Sequence, residues 1–169
     1  TVTIPKKVTE LGSDLFSHCR SLEEVNLPDR IEYVGVSAFE GCSSLKRIDL
    51  PKADTVCDKA FKDCTALKHA SIPALTQIPA ECFSNCKALS DLTVCPHLEL
   101  ICSMAFAGCT SLKNIPIPTT VYWIRDQAFY NSGLESIRLP LDLNYIDEKA
   151  IGYSGDDTVG KELMTLGCG

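Results

Sequence analysis

The sequence predicts a solenoid of about six to seven repeats of 22–23 residues, built mostly from short β-strands and turns, and three observations predict it. A phrase of Phe, then Cys three residues on, then Leu three further on, occurs as Phe16/Cys19/Leu22, Phe39/Cys42/Leu45, Phe61/Cys64/Leu67, Phe83/Cys86/Leu89 and Phe106/Cys109/Leu112. Its period is fixed, so one supersecondary unit is repeated, and each copy buries its apolar face only by stacking on the next. Setting the phenylalanines in register also aligns several other columns. Finally, 169 residues with 45% hydrophobic content suffice for one continuous core. A single domain over 1–169 is expected, regular over 2–151 and irregular over 152–169.

The first element of each repeat is a short strand. After the Leu comes an apolar, a polar and an apolar residue, usually closed by proline: Val25-Asn26-Leu27-Pro28, Ile48-Asp49-Leu50-Pro51, Ala70-Ser71-Ile72-Pro73, Leu92-Thr93-Val94-Cys95, Ile115-Pro116-Ile117-Pro118 and Ile137-Arg138-Leu139-Pro140. Such alternation reads as a half-buried strand, ended where no further ladder donor is needed.

A second apolar pair follows, Val8/Leu11, Ile31/Val34, Ala53/Val56, Leu75/Ile78, Leu98/Ile101, Val121/Ile124 and Leu143/Ile146. Most of the 22-residue repeats lack one position between the proline and this pair, so a loop absorbs the difference. Ahead of the phenylalanine column stand Leu15, Ala38, Ala60, Cys82, Ala105, Ala128 and Ala150, nearly all small, as close packing between coils demands. Ahead of the cysteine column stand His18, Gly41, Asp63, Asn85 and Gly108, with Asn131 at the matching place in the next repeat. These types tolerate positive φ, so a left-handed turn is expected there, and His18 reads as a turn residue rather than a ligand.

Strand with Pro, then Val-x-x-Ile, then Ala-Phe-x-x-Cys-x-x-Leu resembles the BspA-like, or Treponema-type, leucine-rich repeats over about Val2 to Ile151. The resemblance implies an α/β-type fold: a right-handed leucine-rich-repeat superhelix with a parallel sheet on one face and shorter strands or turns on the other. It also implies an extracellular or cell-surface location and, in several members, adhesion to host or matrix proteins. Periodicity itself gives the fold and not the partner.

Departures from the pattern cluster late. Cys95 replaces the proline, Ser132 the ladder cysteine and Ile151 the phenylalanine, after which the pattern dissolves into Gly152-Tyr153-Ser154-Gly155-Asp156-Asp157. Met164-Thr165-Leu166 restores the rhythm, as expected of a last edge strand. At the other end Val2-Thr3-Ile4-Pro5 is already a repeat strand, so the expectation is a piece of a longer protein.

A formal charge of −6 argues against nucleic acid, which needs clustered Lys and Arg. No stretch approaches the ~18 apolar residues of a membrane span, so no membrane insertion is expected. Of ten cysteines, Cys19, Cys42, Cys64, Cys86 and Cys109 share one column. Stacked side chains run parallel rather than toward each other, so this column reads as a buried ladder of free thiols, each a small hydrophobe with a weak donor for a turn carbonyl. Cys57, Cys82, Cys95, Cys102 and Cys168 lie outside it, and their redox state stays open.

Chemistry finds little purchase. Cys82-x3-Cys86 has the look of half a zinc site, but both cysteines occupy packing columns and no second pair follows. Cys95 with His97 is the best Cys/His pair, without any surrounding signature. Asp156-Asp157 reads as a solvated turn, lacking the other ligands of a calcium loop. Neither catalysis nor a cofactor or metal is expected.

Two surfaces remain. Strand residues pointing away from the core form the columns Glu24, Arg47, His69, Asp91, Asn114, Ser136 and Asn26, Asp49, Ser71, Thr93, Pro116, Arg138. Six or seven strands at about 4.8 Å give a face roughly 30 Å wide, comparable to one side of a standard protein interface. The candidates there are Glu24, Asn26, Arg47, Asp49, His69, Ser71, Asp91, Thr93, Asn114 and Arg138. A second column reads Glu10, Tyr33, Thr55, Gln77, Leu100, Trp123, Tyr145, and its last three members form an apolar ridge containing the only tryptophan. The expected function is a non-catalytic protein-binding or adhesion module whose partner is a protein or another extracellular macromolecule. The alternative is a rigid spacer attached to an enzyme or anchoring module elsewhere. Ligand identity and oligomeric state are not written in these patterns.

Overall fold

The structure, a computed structural model, describes residues 1–152; the expected strand at Met164-Thr165-Leu166, the Asp156-Asp157 turn and Cys168 lie outside them. The chain winds through two sets of short strands joined by turns, with no helix among the described residues. One set is β1 (Val2–Thr3), β3 (Val25–Asn26), β5 (Arg47–Asp49), β7 (His69–Ile72) and β9 (Asp91–Val94). The other is β2 (Glu10–Leu11), β4 (Tyr33–Val34), β6 (Thr55–Val56), β8 (Gln77–Ile78), β10 (Leu100–Ile101), β11 (Trp123–Ile124) and β12 (Tyr145–Ile146). All pairing is parallel and joins equivalent positions one coil apart: Val2 lies opposite Val25, His69 between Arg47 and Asp91, and Trp123 between Leu100 and Tyr145.

The interior is a stack of rings. Phe16, Phe39, Phe61, Phe83, Phe106 and Phe129 follow one another at centroid separations of 5.1 to 5.6 Å, with neighbouring planes within 27°. Offset stacking of this kind adds about 0.5–1.5 kcal/mol per pair beyond burial. Ala38, Ala60, Ala105, Ala128 and Ala150 are buried beside the stack as expected, whereas Leu15, in the first coil, is exposed.

The turn segments hold coils together with their own ladder. Each phenylalanine N–H donates to the carbonyl of the small residue one coil on, as in Phe39 to Ala60 at 2.8 Å and Phe106 to Ala128 at 2.8 Å. The expected left-handed residues are all present, with φ of 57° at His18, 71° at Gly41, 59° at Asp63, 60° at Asn85, 73° at Gly108 and 53° at Asn131. Gly108 has a second reason to be glycine: a Cβ there would lie 2.5 Å from Asn85 Oδ1.

A second left-handed column, Asp14, Ser37, Lys59, Glu81, Met104, Gln127 and Lys149, was not foreseen. Its residue types carry no signal of it. Each such conformation costs about 1–2 kcal/mol in a residue with a Cβ, and hydrogen bonds to the next coil oppose the cost. Lys59 N–H, for example, donates to Ala80 O at 3.0 Å and Glu81 N–H to Ser103 O at 3.0 Å.

Two of the expected strands are absent. Ile115-Pro116-Ile117 and Ile137-Arg138-Leu139 form no ladder, so the sheet holding β5 and β7 ends at β9. Continuing the register sets Pro116 across from Thr93, and a proline has no N–H to return to the preceding coil. Ile115 and Ile137 nonetheless stay buried, so the interior continues where the sheet stops. Proline also interrupts the other ladder. The residue after the inward apolar one donates to the coil before, as in Gly35 to Leu11, Cys57 to Val34, Cys102 to Ile78 and Arg125 to Ile101. At the fourth coil that residue is Pro79, and β6 and β8 fall in separate sheets.

Candidate interaction surface

Outward side chains of β5, β7 and β9 interlock across the strands. The Arg47 guanidinium donates to both Asp49 carboxylate oxygens, Nη2 to Oδ1 at 3.2 Å. His69, one strand over, sets Nε2 3.1 Å from Asp49 Oδ1 and Nδ1 2.7 Å from Asp91 Oδ2. The Arg47 guanidinium, with His69 adding to it, holds the Asp49 carboxyl below the usual carboxylate range. Parallel pairing sets Arg47, His69 and Asp91 in register, with Asp49 two residues further along β5, so three strands present one charge-bonded polar surface.

Beside the network the sheet is open. β3 pairs with β1, β5 pairs with β7, and β3 and β5 are not paired with each other. A groove of about 670 Å³ lies over this seam, with Glu23, Glu24 and Asp29 at one side and Lys46, Arg47 and Asp49 at the other. Lys46 Nζ meets Glu23 Oε2 at 2.5 Å, and the Lys46 ammonium pulls the Glu23 carboxyl down. Glu23, Lys46 and Asp29 were not among the sequence candidates. A signal existed for the first two, since opposite charges in one column on neighbouring coils meet once the coils stack; Lys113 and Glu135 do the same at 3.0 Å.

Asn26, Arg47, Asp49, Asp91 and Thr93 are exposed on strands as expected and Glu24 is exposed just before β3, with His69 and Ser71 half-buried. Asn114 and Arg138 are exposed too, but on the segments that form no ladder, so they do not extend the sheet face. The ridge is contiguous: Leu100, Trp123 and Tyr145 are register partners. Trp123 is half-buried and fixed on several sides. Its Nε1 donates to Asp147 Oδ1 at 2.9 Å, the Arg125 guanidinium lies 4.8 Å over its ring, and Tyr145 tilts against it at 5.5 Å.

The cysteine column is a ladder of thiols that donate to turn carbonyls. Cys42, Cys64, Cys86 and Cys109 each direct Sγ to the phenylalanine carbonyl of the preceding coil, Phe16, Phe39, Phe61 and Phe83, at 3.0 to 3.1 Å. Burial pushes the Cys42 thiol up to about 11 and Cys109 up to about 12, and drives Cys64 and Cys86 upward as well. Cys19 departs from the expected buried ladder: it is exposed, because no earlier coil in the structure covers it. Cys57, Cys82, Cys95 and Cys102 are free thiols. Cys95 is buried and its sulfur accepts from the backbone N–H of His97 at 3.3 Å, an arrangement unlike a nucleophile facing an imidazole. Cys82 and Cys86 are both fully buried in the packing columns, with Cys86 Sγ directed to the Phe61 carbonyl.

A family model for the BspA type leucine rich repeat region matches in six copies over residues 1–101 and 76–155. The chain belongs to this family. Among solved structures it is similar to a leucine-rich repeat protein from Eubacterium ventriosum, at 24% identity and a TM-score of 0.78 over 92% of this chain and 43% of that one. The leucine rich repeat protein of T. pallidum is similar at 24% identity and a TM-score of 0.76, over 98% of this chain and 82% of that one. A leucine-rich repeat protein from Bacteroides ovatus gives 23% identity and a TM-score of 0.65, over 86% of this chain and 44% of that one. The chain thus spans less than half the length of the Eubacterium and Bacteroides proteins. No curated protein matches it.

Proposed function

We propose that this BspA-type repeat array is a non-catalytic protein-binding module of a secreted or cell-surface protein, and that it engages its partner through the strand face. The observation that carries this reading is the Arg47-Asp49-His69-Asp91 network, which fixes a varied polar surface on three adjacent strands before any partner arrives. Side chains already held in place lose less entropy on binding, which favours affinity. Adhesion is the activity this placement suits, with an extracellular matrix protein as the partner class. In a surface plasmon resonance comparison against immobilised fibronectin, laminin and collagen, the chain binds at least one, and the His69→Ala/Asp91→Ala double variant loses most of that signal while keeping its thermal midpoint. Absence of binding to all of them, or binding indifferent to the double variant, contradicts the reading.

A further inference from the structure

The groove at the β3–β5 seam combines three features. It is concave, with about 670 Å³ of space, within the range of ligand-binding clefts. β3 and β5 beneath it form no ladder with each other, although Lys46 N–H donates to Glu23 O at 3.2 Å where the two coils approach. Its charge is also unevenly spent. Four carboxylates, Glu23, Glu24, Asp29 and Asp49, face two side-chain cations, Lys46 and Arg47, and the Thr1 ammonium, which also lines the groove and draws on Glu23. Both side-chain cations are engaged, Lys46 with Glu23 and Arg47 with Asp49. Glu24 and Asp29 have no cation within salt-bridge distance among the described residues; the Glu24 carboxylate accepts from the Thr1 hydroxyl at 3.4 Å.

We propose that this groove seats a basic extended segment of the protein partner, with one arginine or lysine side chain against Glu24 and a second against Asp29, at the two ends of β3. The proposal rests on the protein-binding reading and names the chemistry of one part of that partner. Cationic side chains satisfy what the groove leaves over, and the paired walls exclude the alternatives. An anionic ligand meets uncompensated carboxylates, and an apolar one strands polar groups without hydrogen bonds. The fixed Lys46 and Arg47 pairs supply selectivity as well, because a second cation arriving on the β5 side meets like charge.

The test uses the full 169-residue chain. The probe is a capped peptide, Gly-Ser-Arg-Gly-Ser-Arg-Gly-Ser, with a counterpart carrying Glu in place of both Arg, titrated calorimetrically at about 50 mM and about 200 mM salt, where screening differs. The Arg peptide binds and the Glu peptide does not. Glu24→Gln/Asp29→Asn weakens binding about tenfold or more, since charged hydrogen bonds of this kind are worth roughly 1.5–3 kcal/mol each. A remote pair with the same charge change, Asp142→Asn/Glu148→Gln, leaves affinity within about twofold. Equal loss in both double variants reduces the effect to overall charge and overturns the proposal, as does failure of the wild-type chain to bind the Arg peptide. If matrix binding stays sensitive to His69→Ala/Asp91→Ala while the peptide fails, only the groove assignment falls; if both fail, the protein-binding reading falls with it.

Discussion

The turn segments and the strands join neighbouring coils by different means. From Phe16 to Phe129 every phenylalanine N–H reaches the next coil, and the ring stack beneath is unbroken. The strand ladders, by contrast, fall into four separate sheets. Two of the interruptions sit at proline, Pro79 on one side and the Pro116 segment on the other. The lesson is a division of labour. Apolar columns and turn hydrogen bonds make the solenoid, whereas the strands shape a surface that tolerates gaps, and one such gap is the groove.

The comparison breaks most readily at the ring stack. Phe83→Ala removes a fully buried ring with stacked neighbours on both sides. A loss of about 3–5 kcal/mol is expected, read from the urea midpoint. A smaller effect comes from the thiols beside the stack. Burial raises their folded-state pKa above the ordinary thiol value of 9.0, so the protonated form is the one the fold stabilises. Below the unfolded pKa both states hold the proton and full stability is present. As pH rises past 9 the unfolded chain ionises first, and stability drains away until the folded thiols titrate at about 11 for Cys42 and about 12 for Cys109. Thermal melts between pH 8 and 11 should show this decline, and Cys42→Ala/Cys109→Ala should flatten it. The smallest effect belongs to the strands. Pro79→Ala restores an N–H facing the Val56 carbonyl and joins two sheets, yet stability should change by no more than about 1 kcal/mol, because a net hydrogen bond is opposed by the freer unfolded chain. A new, exchange-protected amide signal at position 79 would register the repair.

Much of the interior was legible because columns average over copies. Phe, Ala and Cys recur at fixed spacing, and a thiol that repeats every coil must meet the same carbonyl in each, as Cys64 and Cys86 do. The Gly/Asn/Asp column was legible for the same reason. The second left-handed column was not, since Lys59, Glu81 and Met104 share no chemistry and are held by backbone bonds rather than by residue type. Strand extent failed at Pro116 because alternation specifies which side is buried without specifying whether a donor is present. On the surface, the outward residues could be enumerated but not their partnerships. His69 bridges Asp49 and Asp91 only once the three strands are set in register, and the groove lies where β3 and β5 form no ladder.

Native-state hydrogen exchange compares the two modes of joining directly. If the turn columns carry the solenoid, the amides of Phe39, Phe61, Phe83 and Phe106 exchange only through global opening, while those of β6, β8 and β9 beside the sheet ends exchange through smaller local openings. Strand amides that outlast the phenylalanine amides would contradict the account.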